Sequence, residues 1–236
     1  MGSIYLIRHG QASFGADDYD VLSPTGVRQA EILGEHLASL GLRLDRCLSG
    51  DLRRQRHTAQ AALGRMQAAG LEVPPLEVDP AFNEFEAEAV IRAHLPDLLH
   101  EEPHALHIMR NASEHRAEFQ RLFSMVISRW VSGEHHKDGL VSWQEFLDTA
   151  HAGLQRLLQQ ASGREHIAVF TSGGTITALV QQLVGMPPIK AFELNWQIVN
   201  TSLSRLKFRG DEVSLASFNS HVHLELLRAP ELITYR

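Results

Sequence analysis

At 236 residues, with ordinary apolar and charged fractions, the chain is long enough to bury a sizeable core as one α/β domain spanning residues 1–236. Its formal net charge of -6 argues against a general nucleic-acid binder, which carries a basic patch or stripe, but says nothing of a local basic pocket. The lone Cys47 excludes an intramolecular disulfide, no apolar run is long enough to span a bilayer, and the first residues lack the charged and apolar regions of a leader, so a cytoplasmic protein without membrane partners is expected.

Ile4 to Ile7 is a short apolar run of β formers and reads as a buried strand. Arg8-His9-Gly10 follows at once, then a polar loop to Asp20. Ser23-Pro24-Thr25-Gly26 opens a helix whose apolar positions, Val27, Ala30, Leu33, Leu37 and Leu40, recur at helical spacing up to Gly41. Leu44 to Leu48 is a second strand, a helix covers Leu52 to Ala69, and Pro74 to Val78 is a short strand. Residues 85–102 show no clean period and read as loop with some helix. Phe119, Leu122, Phe123, Val126, Ile127 and Trp130 form an amphipathic stripe; Trp130 is a candidate for a dimer contact. A polar linker, Gly133 to Gly139, holds His135 and His136 toward solvent. Ser142 and Glu145 fit a capping box for a helix running to Ala161. His166 to Thr171 is a strand, Ser172-Gly173-Gly174 opens a helix closed by Gly185, and Ser202 to Phe208 with Glu212 to Phe218 reads as a hairpin. Strands alternating with helices predict a mostly parallel sheet with helices on both faces, and a mainly helical insertion at about 85–140 near the site.

Two strands end in places suited to chemistry. Ligands of open α/β sheets bind beyond the carboxyl ends of strands, and a helix start there offers unpaired N–H groups and a positive dipole end. The turns at His9 and Ser172 can therefore face one anion.

Leu6-Ile7-Arg8-His9-Gly10-Gln11 resembles the signature of the histidine phosphatase (phosphoglycerate mutase-like) superfamily. Leu22 to Gly26 with Gln29-Ala30, Leu48 to Arg54 with Thr58-Ala59, Phe82-Asn83-Glu84, Val169 to Thr175 and Asn219 to Leu224 resemble that family's further blocks, in order along nearly the whole chain. The resemblance implies a phosphoglycerate mutase-like fold and a metal- and cofactor-independent phosphatase acting on a phosphorylated small molecule. His9 would become phosphohistidine, and Glu84 would protonate the leaving oxygen and later activate water. Arg8 and Arg54 would hold the phosphate oxygens, because a guanidinium fork matches phosphate geometry. Gln11 and Ser13 would touch the phosphate from the loop, and Ser172 and Gly173 from the later turn. A homodimer is a candidate assembly.

One position departs from the family pattern. A second histidine normally precedes Gly173-Gly174, and Ser172 stands there. A neutral hydroxyl replaces a charged donor, so the expected enzyme is weakened or altered. His221 or His223 is a candidate to fill the gap, with His223 taken as a substrate-binding residue. Other readings stay open: a mutase, a non-catalytic phosphate-binding descendant, a hydrolase elbow at Ser172 served by Asp211 and His221 (against which Phe170 stands where that motif wants glycine), and a metal held by His221 and His223 on one face of an extended segment.

Overall fold

The computed structural model describes residues 1–13, 20–112 and 114–235. In chain order its elements are β1 (Gly2–Arg8), α1 (Pro24–Ser39), β2 (Arg46–Ser49), α2 (Arg53–Ala68), β3 (Leu76–Val78), α3 (Ala87–Glu101), α4 (Ala105–Arg110), α5 (Arg116–Ser132), α6 (Trp143–Gln160), β4 (His166–Thr171), α7 (Gly173–Val184), α8 (Pro188–Asn195), β5 (Leu203–Arg209), β6 (Glu212–Ser220) and α9 (Val222–Glu225). Residues 14–19 of the expected polar loop lie outside the described residues. Among the described residues no helix is long and apolar enough to cross a membrane.

The strands form one mixed sheet in the order β3-β2-β4-β1-β5-β6. β3, β2, β4 and β1 pair in parallel, and the β5–β6 hairpin adds antiparallel strands beside β1. The unbroken apolar runs of β1 and β4 follow from this placement. Successive side chains of a strand point to opposite faces, so a strand covered on both faces is apolar throughout. Ile4 and Leu6 of β1, with Ile167 and Val169 of β4, pack in the larger core with α5, α6 and α7. Ile7, Ala168 and Phe170 pack on the other face with Leu33 and Leu37 of α1 and Ala59, Ala62, Leu63 and Met66 of α2. Each of the buried Ile, Val, Leu, Phe and Met side chains among these contributes about 1.5–3 kcal/mol.

The caps sit where the sequence places them. Ser23 accepts from the Gly26 amide at the start of α1, and Ser142 and Glu145 complete a reciprocal capping box at α6. His135 and His136 are exposed.

Two readings are corrected. Residues 87–101 form a full helix, α3, in which Val90, His94 and Leu98 face inward. The pattern was hidden because a histidine takes the middle apolar position and Pro96 lies inside the helix. Trp130 is part of the core: it is 4% exposed, lies against Phe85 and Trp143, and its indole donates to Val141 O at 2.8 Å. Residues 222–225 are a helical turn, where extended chain was expected. Residues two apart share a face in a strand but lie some 200° apart around a helix. His221 accordingly meets Glu225 at 3.3 Å while His223 turns inward and is buried. That separates the two rings proposed as a metal pair.

Candidate active site

The carboxyl ends of β1 and β4 are adjacent, with Arg8 in register with Thr171. His9 continues this pairing, its amide donating to Thr171 O at 2.9 Å. The chain then turns where backbone must pass backbone. A Cβ on Gly10 would lie 2.4 Å from Gly26 O, and one on Gly26 would lie 2.1 Å from Gln11 O, so both positions require glycine. The Gly10 amide donates to Thr58 Oγ1 at 2.9 Å, which ties the turn to α2.

The His9 ring is 3% exposed, and its protonation pattern follows from its partners. Nδ1 lies 2.7 Å from Gly10 O; a carbonyl only accepts, so Nδ1 carries the proton. Nε2 is left with its lone pair and accepts from Arg54 Nε at 3.2 Å. Burial, then the charges of Arg54 and Arg8, hold the imidazole well below the usual histidine range, which keeps it neutral with the lone pair on Nε2.

Arg54 lies in the first turn of α2, 8% exposed, and its guanidinium pairs with Asp20 at 2.7 Å. Asp20 also accepts from the Arg53 amide at 2.8 Å, acting as a cap supplied from another part of the chain. The Arg8 guanidinium donates to Ile198 O, and a Cβ on Gly173 would come within 3.7 Å of Arg8 Nε. Arg8, Arg54 and Gly173 are thus gathered around His9.

Glu84 reaches the same place from the segment before α3. Its carboxylate accepts from the Gly174 amide at 3.1 Å, in the first turn of α7, and from the Phe85 amide at 3.1 Å. Burial raises its pKa against the opposing pull of those amides and of Arg54 and Arg8. A carboxyl that keeps its proton to higher pH is suited to act as an acid. Thr171 and Thr175 stitch this segment down by donating to Phe82 O and Asn83 O, both at 2.6 Å.

Gln11 sits at the start of the loop. Its amide N–H donates to Gln29 Oε1 at 2.8 Å, and its side-chain oxygen accepts from Ser23 at 2.8 Å. Ser13 pairs through its backbone with Val21 O at 2.9 Å. Ser172 is fully buried at the turn between β4 and α7 and accepts from Gln55 Nε2 at 2.8 Å.

His223 is placed differently from expectation. Thr201 Oγ1 donates to Asn200 O at 2.7 Å, so the 3.1 Å contact with His223 is one in which the ring Nε2 donates. The other side of the ring stacks on His36 at 5.7 Å. Burial drives its pKa down to about 3, leaving it neutral. His223 therefore braces Thr201, whose amide bonds the backbone oxygens of Arg8 (3.0 Å) and His9 (3.4 Å). It braces the segment that carries Arg8 and His9, and the helical turn of α9 is what directs it there. Thr201 itself holds φ 61°, a costly region for a β-branched residue, in this bracing role.

Sequence reasoning missed Gln55, Asp20, Asn200 and Thr201. Gln55 was the most accessible of these: a lone amide among arginines on a helix that must pack against the site. The others come from segments far apart in the chain, and no local signal marks them.

The sequence matches the profile of the Histidine phosphatase superfamily (branch 1) over residues 4–221. The chain belongs to this superfamily. Solved structures with similar folds include a phosphoserine phosphatase variant from Entamoeba histolytica in complex with phosphoserine, 20% identical, covering 95% of this chain and 100% of that one with a TM-score of 0.65. A phosphoglycerate mutase from Bacillus anthracis str. Sterne is 17% identical, covering 94% and 95%, with a TM-score of 0.61. A mycobacterial glucosyl-3-phosphoglycerate phosphatase is 21% identical, covering 92% and 99%, with a TM-score of 0.63. No curated protein sequence matches the chain. The fold is that of the phosphoglycerate mutase-like proteins, as the ordered blocks implied.

Proposed function

We propose that the protein is a metal-independent phosphomonoester phosphatase working through phosphohistidine at His9. The observation that carries this is the state of His9: a buried, neutral ring with its proton fixed on Nδ1 and its Nε2 lone pair facing an arginine that can hold phosphate.

In the first step Nε2 attacks phosphorus and the bond from phosphorus to the leaving oxygen breaks. The Glu84 carboxyl gives its proton to that oxygen. In the second step water attacks the phosphohistidine, Glu84 takes the water's proton, and the N–P bond breaks to release phosphate. Arg8, Arg54 and the amides at the start of α7 stabilise charge on the phosphoryl oxygens. Ser172, where the family pattern has histidine, supplies a neutral hydroxyl and so a weaker donor. The buried, free Cys47, its thiol pushed up to about 12 by burial, fits a reducing cytoplasmic setting without a role in catalysis.

The test is turnover of an aryl phosphate in the presence of a chelator, comparing the protein with His9→Ala, together with a search for acid-labile label on His9 from a labelled phosphodonor. Turnover that vanishes in His9→Ala and label on His9 are expected. Equal rates in both proteins would remove the proposal. Label that is retained in phosphorylated products, with no free phosphate, would make the protein a mutase.

A further inference from the structure

Gln55 and Ser172 are both fully buried, and the hydrogen bonds around them determine where each proton lies. The Gln55 side-chain nitrogen is 3.1 Å from Phe82 O and 2.8 Å from Ser172 Oγ. Phe82 O is a carbonyl and can only accept, so the amide must present N–H to it; the reversed amide would set oxygen against oxygen. With the amide nitrogen fixed, its second proton goes to Ser172 Oγ. The serine hydroxyl is thereby an acceptor toward Gln55, and its single proton points elsewhere.

The backbone of Ser172 lies between the two segments that hold His9 and Glu84. It follows Thr171, whose carbonyl accepts the His9 amide, and it lies two residues before Gly174, whose amide holds Glu84. It is the N-cap of α7, yet its side chain caps none of that helix's amides. A serine here would ordinarily turn back to accept from its own helix. Gln55 occupies the oxygen, so the hydroxyl proton is left for an acceptor other than Gln55. Gly50 makes room for this arrangement: a Cβ there would lie 2.0 Å from Gln55 Oε1.

We propose that Gln55 is a positioning residue that fixes the Ser172 hydroxyl as a donor to the transferring phosphoryl group, so that the pair forms a neutral relay at the place of the family's second histidine. The inference rests on the phosphatase reading and adds to it a residue and a direction of hydrogen bonding. Gln55 does not touch substrate; it acts through Ser172.

A double-mutant cycle decides this. Ser172→Ala leaves Gln55 bonded to Phe82 O, so the fold loses little, and kcat on an aryl phosphate falls by ~10², the scale of one transition-state donor, with KM moved less than about twofold. Gln55→Leu lowers kcat about tenfold, as expected for one neutral hydrogen bond removed. In the Ser172→Ala background Gln55→Leu has no further effect on kcat, because the residue through which it acts is gone. Competitive inhibition by vanadate weakens in parallel with kcat across the set. Should Gln55→Leu not fold by thermal melt, Gln55→Met is read in the same way.

Ser172→Ala at the parent kcat would overturn the relay, and so would an equal tenfold loss from Gln55→Leu with and without Ser172. Label on His9 alongside either result would remove the relay and leave the phosphatase reading standing. Absence of label and of turnover in the parent would remove both.

Discussion

At the scale of single residues, the site works by giving two titratable groups opposite shifts. His9 and Glu84 lie within reach of the same two arginines, yet His9 is pushed down and Glu84 up, with burial the largest cause in each case. Burial disfavours the charged form of either group, so it favours the neutral imidazole of His9 and moves Glu84 toward its protonated form. The consequence is a testable pH dependence. In the proposed mechanism Glu84 is protonated when it expels a poor leaving group, so kcat/KM on an alkyl phosphate is expected to fall as pH rises through its elevated pKa. Glu84→Gln removes this alkaline limb and lowers kcat/KM by ~10²–10⁴ on that substrate, the range expected for lost general acid catalysis. On a nitrophenyl phosphate, whose leaving group needs little protonation, the loss is much smaller. Steady-state rates on the two substrates between pH 4 and 9 measure both effects.

At the scale of elements, α3 carries an unusual core residue. His94 is fully buried on the inward face of the helix, and among the described residues neither ring nitrogen has a hydrogen-bond partner. Burial is the largest cause of its lowered pKa; Lys137, His135 and Arg129 lower it further, and Asp97 on the same helix opposes them. Below its ordinary value near 6.5 the unfolded chain takes a proton here and the folded chain resists it. Stability from this group is therefore complete above about pH 6.5 and is lost as pH falls toward the lower folded value. His94→Leu should raise the melting temperature at pH 5 and flatten its pH dependence between pH 5 and 7. An unchanged pH dependence would show that acid acts elsewhere. The same residue explains why α3 was hard to read in the sequence, since a helix whose middle inward position is histidine shows no clean apolar stripe.

At the scale of the whole molecule, the last residues of the described chain reach back to the first strand. Asn200 Nδ2 donates to His9 O at 2.9 Å, and Asn200 is itself held by Thr234, through Thr234 O at 2.9 Å and Thr234 Oγ1 at 2.9 Å. Gln29 of α1 donates to Leu232 O at 2.7 Å and to Thr234 Oγ1 at 2.8 Å, while accepting from the Gln11 amide. The two arms converge on the loop that holds His9. Removing the Asn200 side chain takes the shorter of two hydrogen bonds from the His9 carbonyl and leaves the 3.4 Å bond from the Thr201 amide, which costs about 0.5–1.5 kcal/mol. Asn200→Ala should therefore lower stability in urea denaturation by that amount and reduce kcat, because a nucleophile displaced by a fraction of an ångström loses much of its alignment. Stability that falls with kcat intact would separate the clamp from catalysis.

The sequence by itself determined the elements whose causes are local. Apolar runs buried on both faces predicted β1 and β4, Ser23 and Ser142 marked helix starts through their caps, and ordered blocks around His9, Arg54, Glu84 and Ser172 pointed to one anionic site. The tertiary structure decided what depends on residues far apart in the chain. It aimed the Nδ1–H of His9 at Gly10 O, turned His223 toward Thr201 because residues 222–225 coil, and set Gln55 against Ser172 across 117 positions. Periodicity and capping act over a few residues and can be read along the chain. Which side of a ring carries a proton, and which amide faces which hydroxyl, depends on partners that only folding brings within three ångströms.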